Sequence, residues 1–200
     1  MEIYESIYGD KLDTLTGEMN VVLGLIAQIR EDMAAELGMD PIEHVEGRIK
    51  SEESIREKCR RKGVPETTEA VLNEIYDAIG IRIVCAFLDD VYTIENRIKA
   101  LPGFETFEEK DYIRHVKPNG YRSLHLIIKT PSGFFAEIQL RTISMDTWAA
   151  LEHHMRYKKE ITGNKALIES ELKRCADELA STDVSMQTIR DMINSSETSC

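Results

Sequence analysis

The sequence predicts an α/β (α+β) core extended by a long helix at each end. Three observations predict it. Residues 81–87, Ile-Arg-Ile-Val-Cys-Ala-Phe, form an apolar, largely β-branched run of strand length. Residues 134–141 alternate cleanly, Glu137, Gln139 and Arg141 against Ile138 and Leu140. They follow a Thr-Pro-Ser-Gly turn at 130–133 that makes them the return strand of a hairpin. Residues 13–38 and 165–194 carry apolar side chains every three or four positions, the period of an amphipathic helix.

Composition narrows the functional classes. A chain of 200 residues, 42% hydrophobic and 30% charged, can close one full core. Its net charge of −11 argues against a duplex-DNA binder. The charge is uneven. Residues 48–62 hold seven Lys/Arg against three Glu, and residues 110–129 hold five against one Asp. Two basic islands in an acidic chain point to a small polyanionic ligand. The four cysteines (59, 85, 175 and 200) show neither zinc spacing nor a disulfide framework, so a reducing cytoplasm is the expected compartment. The opening Met-Glu-Ile-Tyr-Glu-Ser lacks the regions of a signal peptide, and no apolar run is long enough to span a membrane.

In chain order, Leu15, Met19, Val22, Ile26, Ile29, Met33 and Leu37 form the stripe of the first helix, which Gly38 and Pro41 end. Residues 42–50 predict a strand with His44, Glu46, Arg48 and Lys50 on one face. Ser51 is placed to cap a helix that closes on Lys58-Cys59-Arg60-Arg61-Lys62 before Gly63, with Ser54 and Lys58 on one face. A short helix at 68–76 leads to Asp77 and the strand at 81–87, whose single Arg82 needs a site or an acidic partner. Asp89-Asp90 is read as the cap of a helix to about Leu101, and 104–108 as a strand. A helix at 143–159 contains His153-His154, whose side chains point apart as helical neighbours. The last helix carries Leu172, Cys175, Leu179, Met186, Ile189 and Ile193, with a break expected at Ser181-Thr182-Asp183 and disorder expected from Ser195. Two long terminal helices beyond one core predict contacts between copies.

The densest chemistry lies at 110–125. Lys110, Arg114, Lys117 and Arg122 alternate with Tyr112 and Tyr121 around the turn Pro118-Asn119-Gly120. The apolar strand from Leu124 follows, so Tyr121, Ser123 and His125 should share a face. Cations and an aromatic ring on a rigid strand suit a nucleotide. P-loop, dinucleotide-binding, kinase and nucleophile-elbow motifs are absent. Asp77 and Glu137 remain as strand-borne carboxylates with cations around them, the general apparatus of phosphoryl-type transfer on Mg²⁺.

Taken together, residues 76–84 (Tyr-Asp-Ala-Ile-Gly-Ile-Arg-Ile-Val), 117–125 (Lys-Pro-Asn-Gly-Tyr-Arg-Ser-Leu-His), 137–142 (Glu-Ile-Gln-Leu-Arg-Thr) and 145–153 resemble the RelA/SpoT synthetase domain, as does Arg48-Ile49-Lys50-Ser51 with Ser54. The resemblance covers about residues 42–160. It implies one synthetase domain over 1–200, similar to the small alarmone synthetases, with a nucleotidyltransferase-like mixed β-sheet flanked by helices. The implied reaction moves the β,γ-diphosphate of ATP to the 3′-hydroxyl of GDP or GTP, giving AMP and the alarmones of the stringent response.

By motif position the resemblance implies the following roles. Arg48 and Arg82 would sandwich adenine, while Lys50, Ser54 and Lys58 would hold the ATP phosphates. Asp77 would bind Mg²⁺. Glu137 would complete the metal site or help deprotonate the hydroxyl, and the sequence does not separate these. Tyr121 would stack on guanine. Lys110, Lys117, Asn119, His125 and Gln139 would position the acceptor. Glu108 departs from the Arg of the basic form of the family. A homotetramer is also implied, with an alarmone or single-stranded RNA as a regulator. Competing readings are a silent nucleotide- or RNA-binding regulator, and a synthetase with an adenine-nucleotide or RNA 3′-end acceptor.

Overall fold

The computed structural model describes residues 6–156 and 164–197. Helix α1 (Leu12–Leu37) leads into β1 (Ile42–Ile49), α2 (Glu52–Lys62), α3 (Thr68–Glu74), β2 (Ile79–Cys85) and α4 (Leu88–Lys99). Strands β3 (Glu105–Asp111), β4 (Leu124–Lys129) and β5 (Phe135–Thr142) follow, then α5 (Ile143–Arg156) and α6 (Lys165–Glu197). The five strands form one mixed sheet in the order β1-β2-β5-β4-β3. Only the central β2–β5 pair is parallel; β1–β2, β4–β5 and β3–β4 are antiparallel.

Strand alternation divides the sheet into two unlike faces. Ile81, Ile83, Leu124, Leu126, Ile128, Ala136, Ile138 and Leu140 point to a core closed by Leu15, Val22, Ile26, Ile29 and Met33 of α1 and Val91, Ile94 and Ile98 of α4. The α1 stripe thus packs on its own sheet, apart from Leu37, which is exposed where the helix ends. Gly47 lets α1 come close: a Cβ there would lie 2.9 Å from Leu23 Cδ1 and 3.2 Å from Met19 Sδ. The opposite face carries the polar residues. Met145, Trp148 and Ala176, from α5 and α6, are buried apart from the main core.

Several boundaries differ from the sequence reading. β2 starts and ends two residues earlier than expected, and Phe87 is the N-cap of α4. Its N–H donates to the Asp90 carboxylate (3.1 Å), so Asp89-Asp90 lies inside the first turn rather than capping it. α3 stops at Glu74, leaving Tyr76-Asp77-Ala78 as a bend. β3 runs on through Lys110 and Asp111, beyond the strand expected at 104–108, because pairing with β4 carries it that far. α6 is unbroken at 181–183 and includes Ser195–Glu197. Thr142 Oγ1 donates to Asp183 (2.6 Å), and half-buried Arg190 donates to Asp90 (3.0 Å), so tertiary contacts override weak local propensity. The α6 stripe does not face the core either: Met186, Ile189 and Ile193 are about half exposed. Residues 157–159, the expected end of the helix at 143–159, and the tail 198–200 lie outside the described residues.

Gly47→Val should destabilise the chain by about 1–3 kcal/mol, since two methyls would be driven into α1. Urea unfolding measures this, and an unchanged midpoint would show that α1 can move away at no cost.

Candidate active site

Register places the functional side chains in two rows across the polar face. One row reads Glu46 (β1), Arg82 (β2), Gln139 (β5), His125 (β4) and Lys110 (β3), each the Cα partner of the next. The adjacent row reads Arg48, Gly80, Glu137, Ile127 and Glu108. An open cleft of about 90 Å³ lies over the β1–β2–β5 part, with Arg48, Lys50, Asp77, Arg82, Glu137 and Gln139 in its wall. The alternation that identified β5 as half-buried therefore turns its polar face to the site that also holds His125 and Tyr121.

Asp77 sits in the bend before β2 and accepts from both Lys50 (2.6 Å) and Lys58 (2.5 Å) through Oδ2. Burial raises its pKa, but the hydrogen bonds and charges of the two lysines outweigh this and hold it below the usual carboxylate range. Its other oxygen, Oδ1, is buried without a hydrogen-bond partner. Lys50 is fixed in turn by Tyr8, whose hydroxyl donates to the Lys50 carbonyl (2.5 Å). Lys58 reaches over from α2, whose N-cap is Ser51 as expected. Ser54 is engaged with that cap: its N–H donates to Ser51 Oγ (3.4 Å), and Ser51 Oγ donates to Ser54 Oγ (2.9 Å). It is not in the wall of the cleft.

Glu137 belongs to a closed ring of hydrogen bonds. Its Oε1 lies 3.2 Å from His125 Nδ1, and His125 Nε2 lies 2.9 Å from the Tyr121 hydroxyl. Arg141 Nη2 donates to that hydroxyl (2.8 Å) and to Gln139 Oε1 (3.0 Å), and Gln139 Nε2 donates back to Glu137 Oε2 (2.9 Å). Burial raises the Glu137 pKa. The hydrogen bonds with His125 and Gln139 and the electrostatic pull of His125 and Lys58 more than offset that and bring it down to about 2. Glu137 is a carboxylate at neutral pH.

The basic segment on the β3–β4 side is held by its one acid. Asp111 Oδ1 accepts the N–H groups of Ile113 and Arg114 (2.9 Å each), which shapes the loop. Asn119 Oδ1 accepts the Tyr121 N–H (3.2 Å), so its amide oxygen builds the turn. Gly120 has φ +91°, and a Cβ there would lie 2.7 Å from Ala176 of α6. Arg122 secures the same turn to α6 through Asp177 (2.7 Å). Lys117 Nζ lies over the rings of Tyr112 (4.2 Å) and Tyr121 (5.0 Å). Lys110 pairs with Glu108 (2.8 Å), so the acid that departs from the basic pattern balances the lysine.

The structure thus brings Arg48, Lys50, Asp77, Arg82, Glu137 and Gln139 to one cleft, with Lys58 joined to it through Asp77 and His125 and Tyr121 through the ring. Lys110 and Lys117 stand at its β3–β4 side. Two residues carry no role in the sequence reading, Arg141 and Asp146. Arg141 lies on the predicted polar face of β5 after Gln139, and Asp146 is one turn into α5; only their contacts across the fold mark them. Among the described residues no cluster of three His, Cys, Asp or Glu side chains could hold a metal by itself. Asp77 Oδ1 and Glu137 suit instead a hard cation that takes its other ligands from water and phosphate, as Mg²⁺ does.

Two carboxylates in a cleft with cations on both sides, on an α/β sheet, define by their chemistry a nucleotide-dependent phosphoryl-transfer site. Residues 47–162 match the family described as "Region found in RelA / SpoT proteins", and the chain belongs to that family. It is 46% identical over 147 residues to GTP pyrophosphokinase YwaC of Bacillus subtilis (strain 168), covering 70% of either chain. Its fold is similar to that of small alarmone synthetase 2 from Bacillus subtilis, with TM-score 0.78, 36% identity and coverage of 92% of this chain and 97% of that one. It is also similar to small alarmone synthetase 1 from Bacillus subtilis. The form bound to its product pppGpp has TM-score 0.68 and 31% identity, covering 89% and 99% of the two chains. The AMPCPP-bound form has TM-score 0.61 and 28% identity, covering 90% and 99%.

The lowered Glu137 pKa carries a stability consequence. The contribution is fully present above the ordinary carboxylate pKa of 4.5 and is lost as pH falls through about 2. Between pH 5 and pH 2 the wild type should lose about 2–3 kcal/mol more unfolding free energy than Glu137→Gln. Urea unfolding at each pH measures it; parallel curves would mean that Glu137 titrates like a free carboxylate.

Proposed function

We propose that this protein is an alarmone synthetase. It transfers the β,γ-diphosphate of ATP to the ribose 3′-hydroxyl of GDP or GTP and releases AMP, serving the stringent response in the cytoplasm. The observation that carries this reading is one cleft in which Asp77 and Glu137 stand beside the guanidiniums of Arg48 and Arg82, with the Tyr121 ring joined to Glu137 through His125. The family relationship and the relatives bound to pppGpp and AMPCPP support it.

Arg48 and Arg82 hold adenine by stacking, a use for which a planar guanidinium is suited and which accounts for an arginine in an apolar strand. Lys50 and Lys58, now on Asp77, turn to the triphosphate when it enters, with Ser54 at its edge. That leaves Asp77, with Glu137, to hold Mg²⁺, which would neutralise charge on the phosphates. Tyr121 stacks on guanine, and Lys110, Lys117, Asn119, His125 and Gln139 orient the acceptor. The 3′-oxygen forms its bond to the β-phosphorus in line as the bond from that phosphorus to the α,β-bridging oxygen breaks. The AMP phosphate takes the electron pair. Because Glu137 is held ionised, with one hydrogen bond to each of its oxygens, its main part is to hold charge and orient the hydroxyl, whose proton passes to Glu137 or to water.

The half-exposed stripe of Met186, Ile189 and Ile193 supports a homo-oligomer; the family resemblance suggests a tetramer, with alarmone or single-stranded RNA as regulator. Ile189→Glu should lower the oligomer mass seen by light scattering, whereas an unchanged mass would place the contact elsewhere. AMP release from ATP and Mg²⁺ should appear with GDP or GTP but not with ADP, an RNA 3′ end or no acceptor, and Asp77→Ala should reduce it at least 10²-fold, on the order expected for losing a metal-holding group. Nucleotide binding without AMP from any acceptor would replace this reading with that of a silent regulator.

A further inference from the structure

Arg141 has no role in the reaction as described, yet it is among the most buried charges in the chain, 7% exposed. Its Nε donates to Ser123 Oγ (3.4 Å), its Nη1 to Asp146 Oδ1 (3.1 Å), and its Nη2 to Tyr121 and Gln139. Its Cζ lies 5.3 Å from the Tyr121 ring centroid. The same Asp146 Oδ1 lies 3.7 Å from Arg82 Nε, a buried donor with no hydrogen-bond partner. One carboxylate oxygen therefore stands between the guanidinium assigned to the first purine and the guanidinium that holds the ring assigned to the second.

The base of this bridge is rigid. Thr142 Oγ1 accepts the Met145 N–H (3.2 Å) at the start of α5, which sets Asp146 in the first turn, where the helix end favours a carboxylate. Arg141 also anchors the hydrogen-bonded ring at one end. A guanidinium only donates, so the Tyr121 hydroxyl and the Gln139 amide oxygen both accept from it. His125 stands between the Tyr121 hydroxyl and Glu137.

We propose that Arg141 and Asp146 are positioning residues that couple the two nucleotide subsites. A purine stacked on Arg82 orders that guanidinium against Asp146. Through Arg141 the order reaches Tyr121 and Gln139, so that occupancy of one subsite prepares the other. The inference rests on the assignment of Arg82 and Tyr121 to the two bases. Coupling of this kind is reciprocal: each ligand must change the affinity of the other by the same factor.

The test is calorimetric titration of the full chain with Mg²⁺, using an α,β-methylene ATP analogue, whose bridge cannot be cleaved, and GDP. Each is titrated alone and at saturation of the other. In the wild type each should tighten the other by about fivefold or more. Asp146→Asn, which keeps the shape and removes the charge, should bring that factor to about two or less, with each ligand's separate affinity changed less than about threefold. Tyr121→Phe keeps the ring but removes the hydroxyl that Arg141 holds. It should also lower the factor, and the double variant should lower it no further, as expected for one path. A folded Asp146→Asn with wild-type coupling, or a wild type with none, overturns the proposal while leaving the synthetase reading intact. Failure of the wild type to bind either nucleotide overturns both. If Asp146→Asn does not fold, Tyr121→Phe decides by the same measure.

Discussion

The parallel pairing of β2 with β5 is the constraint on which the cleft depends. It sets Gly80 beside Glu137 and Arg82 beside Gln139, and the antiparallel neighbours extend those two pairs into rows across the sheet. A slip of one residue in either strand would turn its charged side chains into the α1–α4 core and its isoleucines outward. The register is enforced from the opposite face. Ile81, Ile83, Ile138 and Leu140 are each no more than 2% exposed, and burying one such side chain is worth about 1.5–3 kcal/mol. The apolar face thus determines where the polar face places its charges.

Charge is managed in the site by local pairing. Asp77 compensates two lysines, Glu108 compensates Lys110, and Asp146 serves Arg141. These pairs let a chain of net charge −11 gather cations without leaving them unbalanced. They also leave a defined opening, the unpartnered Oδ1 of Asp77. A polyphosphate that drew Lys50 and Lys58 away would expose the rest of that carboxylate to a cation, so ligand and metal are linked by the same two ion pairs. On the other side, α6 supports the Tyr121 turn through Ala176 and Asp177, and its outer apolar stripe faces away from the chain.

Much of this was legible in the sequence because it depends on local rules. The alternation of 134–141, the Ser51 cap, the Thr-Pro-Ser-Gly turn and the Asn119-Gly120 turn all follow from strand period and turn chemistry. The lone arginine in β2 stood out because a charge is costly in a buried strand, and the carboxylates at 77 and 137 because cations surround them in the sequence. Arg141 and Asp146 did not stand out, since each is unremarkable where it lies in the chain and acquires meaning only through partners from other elements. The expected break in α6 was a case of local propensity losing to contacts with Thr142 and Asp90. Asn119 and Ser54 were placed with the ligands, and the structure finds them engaged in a turn and a cap.

By itself, then, the sequence determined the elements, their faces and the residue types of the site, because these follow from periods of 2 and 3.6 residues and from the chemistry of single side chains. Tertiary structure decided strand order, which lysines meet Asp77, the hydrogen-bonded ring from Arg141 to Glu137, and which side of α6 is covered. Those are properties of pairs far apart in the chain, and only packing of the sheet against α1 and α4, and of α6 against α5 and the Tyr121 turn, brings them within bonding distance.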